Sequence, residues 1–148
     1  LGLVSGNVHG QSVIWRAGGA AGDRLGIEVA NLGDVDQDGF EDFLSGGIQV
    51  NWPNQSGNGY ASVYSGRTRQ VLAILTGPSR DSWFGASARK LGDLDGDGTP
   101  DFGVGAPRAG STGEGVLYLY SGANRSLLRS ISGFSPNSSF AYCSAGLG

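Results

Sequence analysis

The chain has 148 residues, a formal net charge of −3, 28 glycines, one cysteine and no methionine. Glycine far exceeds its usual share of about 7% but lacks the three-residue period of collagen, and no apolar run approaches the roughly 20 residues of a bilayer span. There is no basic run or RNA-binding signature, so neither nucleic acid nor membrane insertion is expected.

Short β-patterned runs bounded by Gly, Ser, Asn and Pro follow one another along the chain. Residues 1–5 and 12–17 come first. Four runs follow at about residues 27–32, 42–48, 59–65 and 71–76. Four more lie at about 86–91, 101–106, 115–121 and 127–132, and a last one runs from Ser139 to Leu147. The order is an internal repeat. Leu25–Asp34 corresponds to Phe84–Asp93 and again to Phe140–Gly148, Tyr60–Gly66 to Val116–Gly122, and Val71–Gly77 to Leu127–Gly133. Leu3–Gly6 and Val13–Gly18 are third copies of the last two segments. The periods are 59 and 56 residues, and the difference falls between Gly47 and Tyr60.

Four antiparallel strands per repeat of this length predict an all-β fold built of β-propeller blades. The chain divides into a partial blade at 1–19 (strands three and four), blades at 20–77 and 78–133, and the first strand of a further blade at 134–148. That is about 2.75 blades, a partial ring with an unpaired sheet edge at each end. Such edges invite pairing, so either further sequence completes the ring or other copies of the chain do; if this is the whole polypeptide, a cyclic homo-oligomer is expected, a dimer of about six blades being within the known range of ring sizes.

Between the first two strands of each full repeat lies an acidic loop of pattern D-x-D-x-D-G-x-x-D, Asp34–Asp42 and Asp93–Asp101. Four carboxylates within nine residues repel one another unless a cation neutralises them. The alternating spacing turns three side chains toward one point, and the glycine at position six allows the turn that brings round the fourth. All-oxygen donors suit a hard cation, Ca²⁺ above all. The expected ligands are Asp34, Asp36, Asp38, the Phe40 carbonyl and Asp42 in one loop. Asp93, Asp95, Asp97, the Thr99 carbonyl and Asp101 serve in the other, giving two Ca²⁺ sites. An EF-hand would need glutamate at position twelve and flanking helices, whereas Ser45 or Val104 stands there and the following residues are glycine-rich and β-branched. Eight of the 13 acidic residues are the aspartates of these loops, so the low isoelectric point belongs to the metal sites.

Phe84-Gly85, the acidic loop, then Gly105-Ala106-Pro107 resembles the FG-GAP repeat of integrin α-subunit-like propellers, and the likeness extends over essentially the whole chain. The first unit is a looser copy with Leu25-Gly26 and Gly46-Gly47-Ile48, and the third start, Phe140-Ala141, departs at the glycine. The resemblance implies a Ca²⁺-stabilised propeller that is secreted or on the cell surface, extracellular or periplasmic. Its implied role is a binding or adhesion scaffold for a protein or glycan ligand, not an enzyme. The alternative is the non-catalytic propeller of a secreted hydrolase, or a sugar-binding lectin.

Strand alternation puts the acidic loops on one face of the ring. Ligands of integrin-like propellers are recognised on the opposite face, where Trp52, Arg80, Trp83, Arg108 and Glu114 are the candidate binding residues. The competing role for the tryptophans is packing between blades. Cys143 aligns with Ser87 and is expected to be a small buried side chain. Asn54, Asn124 and Asn137 begin glycosylation sequons, at a density close to chance.

Overall fold

The computed structural model describes residues 16–19, 22–51 and 55–143. Among them are ten strands and no helix: β1 (Glu28–Gly33), β2 (Asp42–Gly47), β3 (Val50–Asn51), β4 (Gln55–Ser56), β5 (Tyr60–Tyr64), β6 (Val71–Thr76), β7 (Ser87–Gly92), β8 (Asp101–Ala106), β9 (Val116–Tyr120) and β10 (Leu127–Ser132). Two four-stranded antiparallel sheets result, ordered β1-β2-β5-β6 and β7-β8-β9-β10. Each is one propeller blade whose strands are joined in sequence. The two-residue strands β3 and β4 pair only with each other, and they occupy the longer loop between Gly47 and Tyr60. Of the partial blade expected at 1–19, only Arg16–Gly19 fall among the described residues, and they are not in a strand. Phe134–Cys143 form turns. Of the terminal strand expected from Ser139 to Leu147, residues 139–143 are therefore not in a strand, and the rest lies outside the described residues.

Both blades slip register at the same place. β1 shifts against β2 between Asn31 and Gly33, and β7 against β8 between Lys90 and Gly92. Gly33 and Gly92 sit at φ 80 and 81, a left-handed backbone that glycine adopts without a Cβ penalty. The bulge re-aims the chain one residue before each acidic loop.

The core runs across both sheets. Leu32, Leu44, Ala61 and Val63 of the first blade are buried in one cluster with Ala88, Phe102 and Val104 of the second. Phe84 is 0% exposed. Its ring lies 5.6 Å from that of Tyr118 and 6.4 Å from that of Tyr120, tilted to edge-on, a favourable aromatic geometry. Phe102 stacks on Tyr120 at 5.8 Å, as Phe43 stacks on Tyr64 at 5.1 Å one repeat earlier. A salt bridge from Arg89 on β7 to Glu28 on β1 links the two inner strands.

Main-chain atoms make the seam between blades. Gly59 forms an isolated parallel bridge with Phe84. A Cβ on Gly46 would lie 1.9 Å from the Gly85 carbonyl oxygen, and one on Gly85 would lie 2.3 Å from that of Tyr60. The next repeat reproduces this seam, with the Ala141 carbonyl against Gly105 and accepting from Ser87 Oγ at 2.8 Å. No described residue stands in that relation to Cys143, which is exposed, contrary to the expectation from its alignment with buried Ser87. Gly85 has φ 90, and Ala141, which replaces glycine at the matching position, has φ 62. An alanine held there is strained. Ala141→Gly is therefore expected to raise stability by up to about 1 kcal/mol in urea unfolding. Gly85→Ala, which adds both strain and a backbone clash, is expected to lower it by more than about 2 kcal/mol.

Candidate metal centres

Each acidic loop is first organised by its own aspartates. Asp34 accepts the N–H groups of Asp38 and Gly39, both at 2.9 Å. Asp93 accepts those of Gly96, Asp97 and Gly98 at 2.7, 3.1 and 2.9 Å. Asp36 and Asp95 each accept the N–H two residues on, at 3.2 Å. These are the local side-chain-to-backbone bonds that aspartate offers in turns.

The last aspartate of each loop has a different setting. Asp42 and Asp101 are 1% and 0% exposed. Asp42 Oδ2 accepts from Val35 N at 2.8 Å and Asp36 N at 3.2 Å, and Oδ1 accepts from Gly66 N at 2.9 Å. Asp101 repeats this, with Leu94 N at 2.6 Å on Oδ2 and Gly122 N at 2.9 Å on Oδ1. A buried carboxylate is tolerated only when such donors satisfy it. Sequence reasoning missed these donors, although Tyr64-Ser65-Gly66 and Tyr120-Ser121-Gly122 stood out as repeated segments.

Carboxylate oxygens of Asp34, Asp36 and Asp42 lie within 4.8 Å of one another, and so do those of Asp93, Asp95 and Asp101. Asp38 and Asp97 turn back on the loop, accepting from Phe40 N at 2.9 Å and Thr99 N at 2.8 Å. Carboxylates this close repel. Burial, then the charges of Asp42 and Asp38, push the Asp36 carboxyl above the usual range, opposed by a hydrogen bond from Ser65. Asp93 is held below that range, chiefly by the Gly98 N–H. Hydrogen bonds thus relieve part of the charge, and Asp36 keeps an uncompensated share. Three converging hard oxygens on a glycine-turned loop fit a divalent cation of the Ca²⁺ type.

The two expected carbonyl donors have unlike surroundings. The Phe40 side chain is 54% exposed beneath the Arg67 guanidinium, 5.5 Å from its centroid. Thr99 is buried, and its Oγ1 accepts from Gln37 Nε2 of the other loop at 2.9 Å.

The loops at the opposite end border a cleft of about 530 Å³ lined by Arg80, Asp81, Arg108, Gly113, Asn137 and Ser139. The Arg108 guanidinium lies 4.8 Å over the half-buried Trp83 ring, a cation–π contact that fixes both. Trp83 itself is at φ 57. Glu114 turns into its own loop and accepts from the Thr112 N–H and hydroxyl at 2.9 and 2.8 Å. Its own N–H and these two donors hold its carboxyl below the usual range. Trp52 and Asn54 lie outside the described residues, whereas Asn124 and Asn137 are exposed.

Residues 84–120 match the model of the FG-GAP repeat. Integrin alpha-PS2 of Drosophila melanogaster is 32% identical over 137 residues, covering 80% of this chain and 10% of that protein. Human integrin alpha-6 is 32% identical over 129 residues (82% and 11%). Xenopus laevis integrin alpha-5 is 42% identical over 89 residues (56% and 8%). The chain thus spans about a tenth of the length of these relatives.

Asp42→Asn and Asp101→Asn turn an amide NH₂ toward groups that are themselves donors. Each is expected to cost about 1–3 kcal/mol in urea unfolding, and to do so in excess chelator as well as in Ca²⁺. A loss seen only in Ca²⁺ would make these residues ligands without the structural role.

Proposed function

We propose that this chain, which belongs to the FG-GAP repeat family of integrin-α-like propellers, is part of an extracellular adhesion scaffold whose blades are clamped by Ca²⁺. The observation that carries the proposal is the repeated convergence of three aspartates between the first two strands of both blades. Asp34, Asp36, Asp38, Asp42 and the Phe40 carbonyl would hold one ion. Asp93, Asp95, Asp97, Asp101 and the Thr99 carbonyl would hold the other. The ion supplies positive charge at the point where the aspartates repel. The chain supplies the rest: glycine-turned loops, buried Asp42 and Asp101, and the β5–β6 and β9–β10 turns that tie each loop down. Modules of this type outside the cell bind Ca²⁺ at about 10⁻⁴–10⁻³ M, so they fill where Ca²⁺ is millimolar.

Ligand recognition falls to the opposite end, at the cleft lined by Arg80, Asp81, Arg108 and Asn137. The Arg108 guanidinium and the Asn137 amide suit an acidic or hydroxyl-bearing group on a protein or glycan ligand, beside the Asp81 carboxylate of the same cleft. Arg108 is held by Trp83, which lowers the ordering cost of binding.

Binding to the folded state alone stabilises it by mass action, about 1.4 kcal/mol per site at ten times Kd. Adding chelator should therefore lower the melting temperature by a few degrees per site, and Asp36→Ala or Asp95→Ala should each remove at least half of that response. Melting unchanged by chelator would overturn the clamp. On immobilised extracellular-matrix proteins and on a glycan array, Arg108→Ala should weaken whichever interaction the parent chain shows by tenfold or more, with the chelator-sensitive melt intact. Equal binding by Arg108→Ala would move the ligand surface elsewhere.

A further inference from the structure

Gln37 is the fourth residue of the first acidic loop, a position with no ligand role. Its backbone is left-handed at φ 58, as is that of its repeat partner Gly96 at φ 80. The second loop meets this requirement with glycine. The first meets it with a residue that carries a long amide side chain, at a conformational cost. That side chain crosses to the neighbouring blade, where Nε2 donates to Thr99 Oγ1 at 2.9 Å, between residues 62 apart in sequence. Thr99 is 1% exposed. It lies at position seven of the second loop, and its own N–H donates to Asp97 at 2.8 Å. The end of β1 also lies near the second loop, since a Cβ on Gly33 would lie 3.0 Å from Pro100 Cγ and 3.0 Å from Lys90 Nζ of β7. The first loop therefore reaches the segment between Asp97 and Asp101 through Gln37, and the residue that precedes the loop lies beside Pro100 of that segment.

We propose that the two acidic loops bind cations cooperatively and that Gln37 is the positioning residue that couples them. The inference rests on the loops being cation sites, as proposed above. A cation held by Asp34, Asp36 and Asp42 fixes the turn from which Gln37 projects. The anchored amide holds the Thr99 hydroxyl, and with it the backbone between Asp97 and Asp101. The second loop then has less freedom to lose when it fills. Linkage makes the effect reciprocal, since the second ion favours the first by the same factor.

The test is a calorimetric Ca²⁺ titration of the metal-stripped chain, with Tb³⁺ luminescence sensitised by neighbouring aromatic residues as an independent readout. Four further proteins are compared. Asp36→Ala empties the first loop. Gln37→Gly removes the side chain and keeps a backbone glycine accepts. Thr99→Val removes the hydroxyl while retaining the carbonyl and nearly all the volume. The last is the Asp36→Ala/Gln37→Gly double variant. In the parent chain the Hill slope should exceed one. Asp36→Ala should weaken the second site about fivefold or more, within the usual range of coupling. Gln37→Gly and Thr99→Val should each still bind two ions with a slope of one. Adding Asp36→Ala to Gln37→Gly should leave second-site affinity unchanged. Two ions binding to the parent chain with a slope of one, and a second site indifferent to Asp36→Ala, would overturn the coupling while leaving the clamp standing. Coupling that persists in both Gln37→Gly and Thr99→Val would overturn the assignment to Gln37. No binding to the parent chain would overturn both proposals.

Discussion

A buried carboxylate at the foot of each acidic loop holds the local structure together. Asp42 takes N–H groups from the start of its loop and from Gly66 beyond β5, and Asp101 does the same with Gly122 beyond β9. One side chain thus joins the β1–β2 connection to the β5–β6 connection, two turns at the same end of a blade. Such a group cannot be left half satisfied, because a buried charge without donors is far costlier than a lost surface bond. The serine-glycine pairs after β5 and β9 each supply one such donor, and the carboxylate that they satisfy sits beside two others of its loop. Repulsion among the converged carboxylates follows, and it makes the loop receptive to a cation.

The seam between blades obeys a different rule. There the constraint is closeness of main chain to main chain, and Phe84, bridged to Gly59 and packed on the tyrosines of β9, joins the apolar cluster shared by both blades. The polar loop ends and the apolar seam are thus separate devices within one repeat. The first fixes where loops point, and the second fixes how blades stack.

Much of this was legible in the residues themselves. Gly, Ser, Asn and Pro bound the β-patterned runs, so the eight main strands fall within about a residue of their expected limits. The aspartates were readable because their spacing carries the chemistry. The Asp42–Gly66 and Asp101–Gly122 bonds were not, because they join positions more than twenty residues apart and only tertiary structure brings a serine-glycine turn beside an aspartate. The β3–β4 pair was invisible for another reason, since strands of two residues show no alternation. The contact from Gln37 to Thr99 crosses between blades, and a glutamine at a position otherwise filled by glycine was its only trace. Glu114 was singled out for its charge, yet its carboxylate closes its own loop. Charge alone does not tell a side chain that faces a partner from one that serves its own turn.

The seam of backbone atoms has a consequence for how such a chain changes over time. Where Gly46, Gly59 and Gly85 meet their neighbours, the contacts are made by atoms that every residue possesses, and side chains are excluded by lack of room. Selection therefore acts at those few points by forbidding bulk rather than by demanding a particular partner. A stacking rule written in main chain lets repeats drift far apart in sequence while their spacing around the ring stays fixed. Identities of 32% over most of the chain are what that kind of tolerance leaves behind.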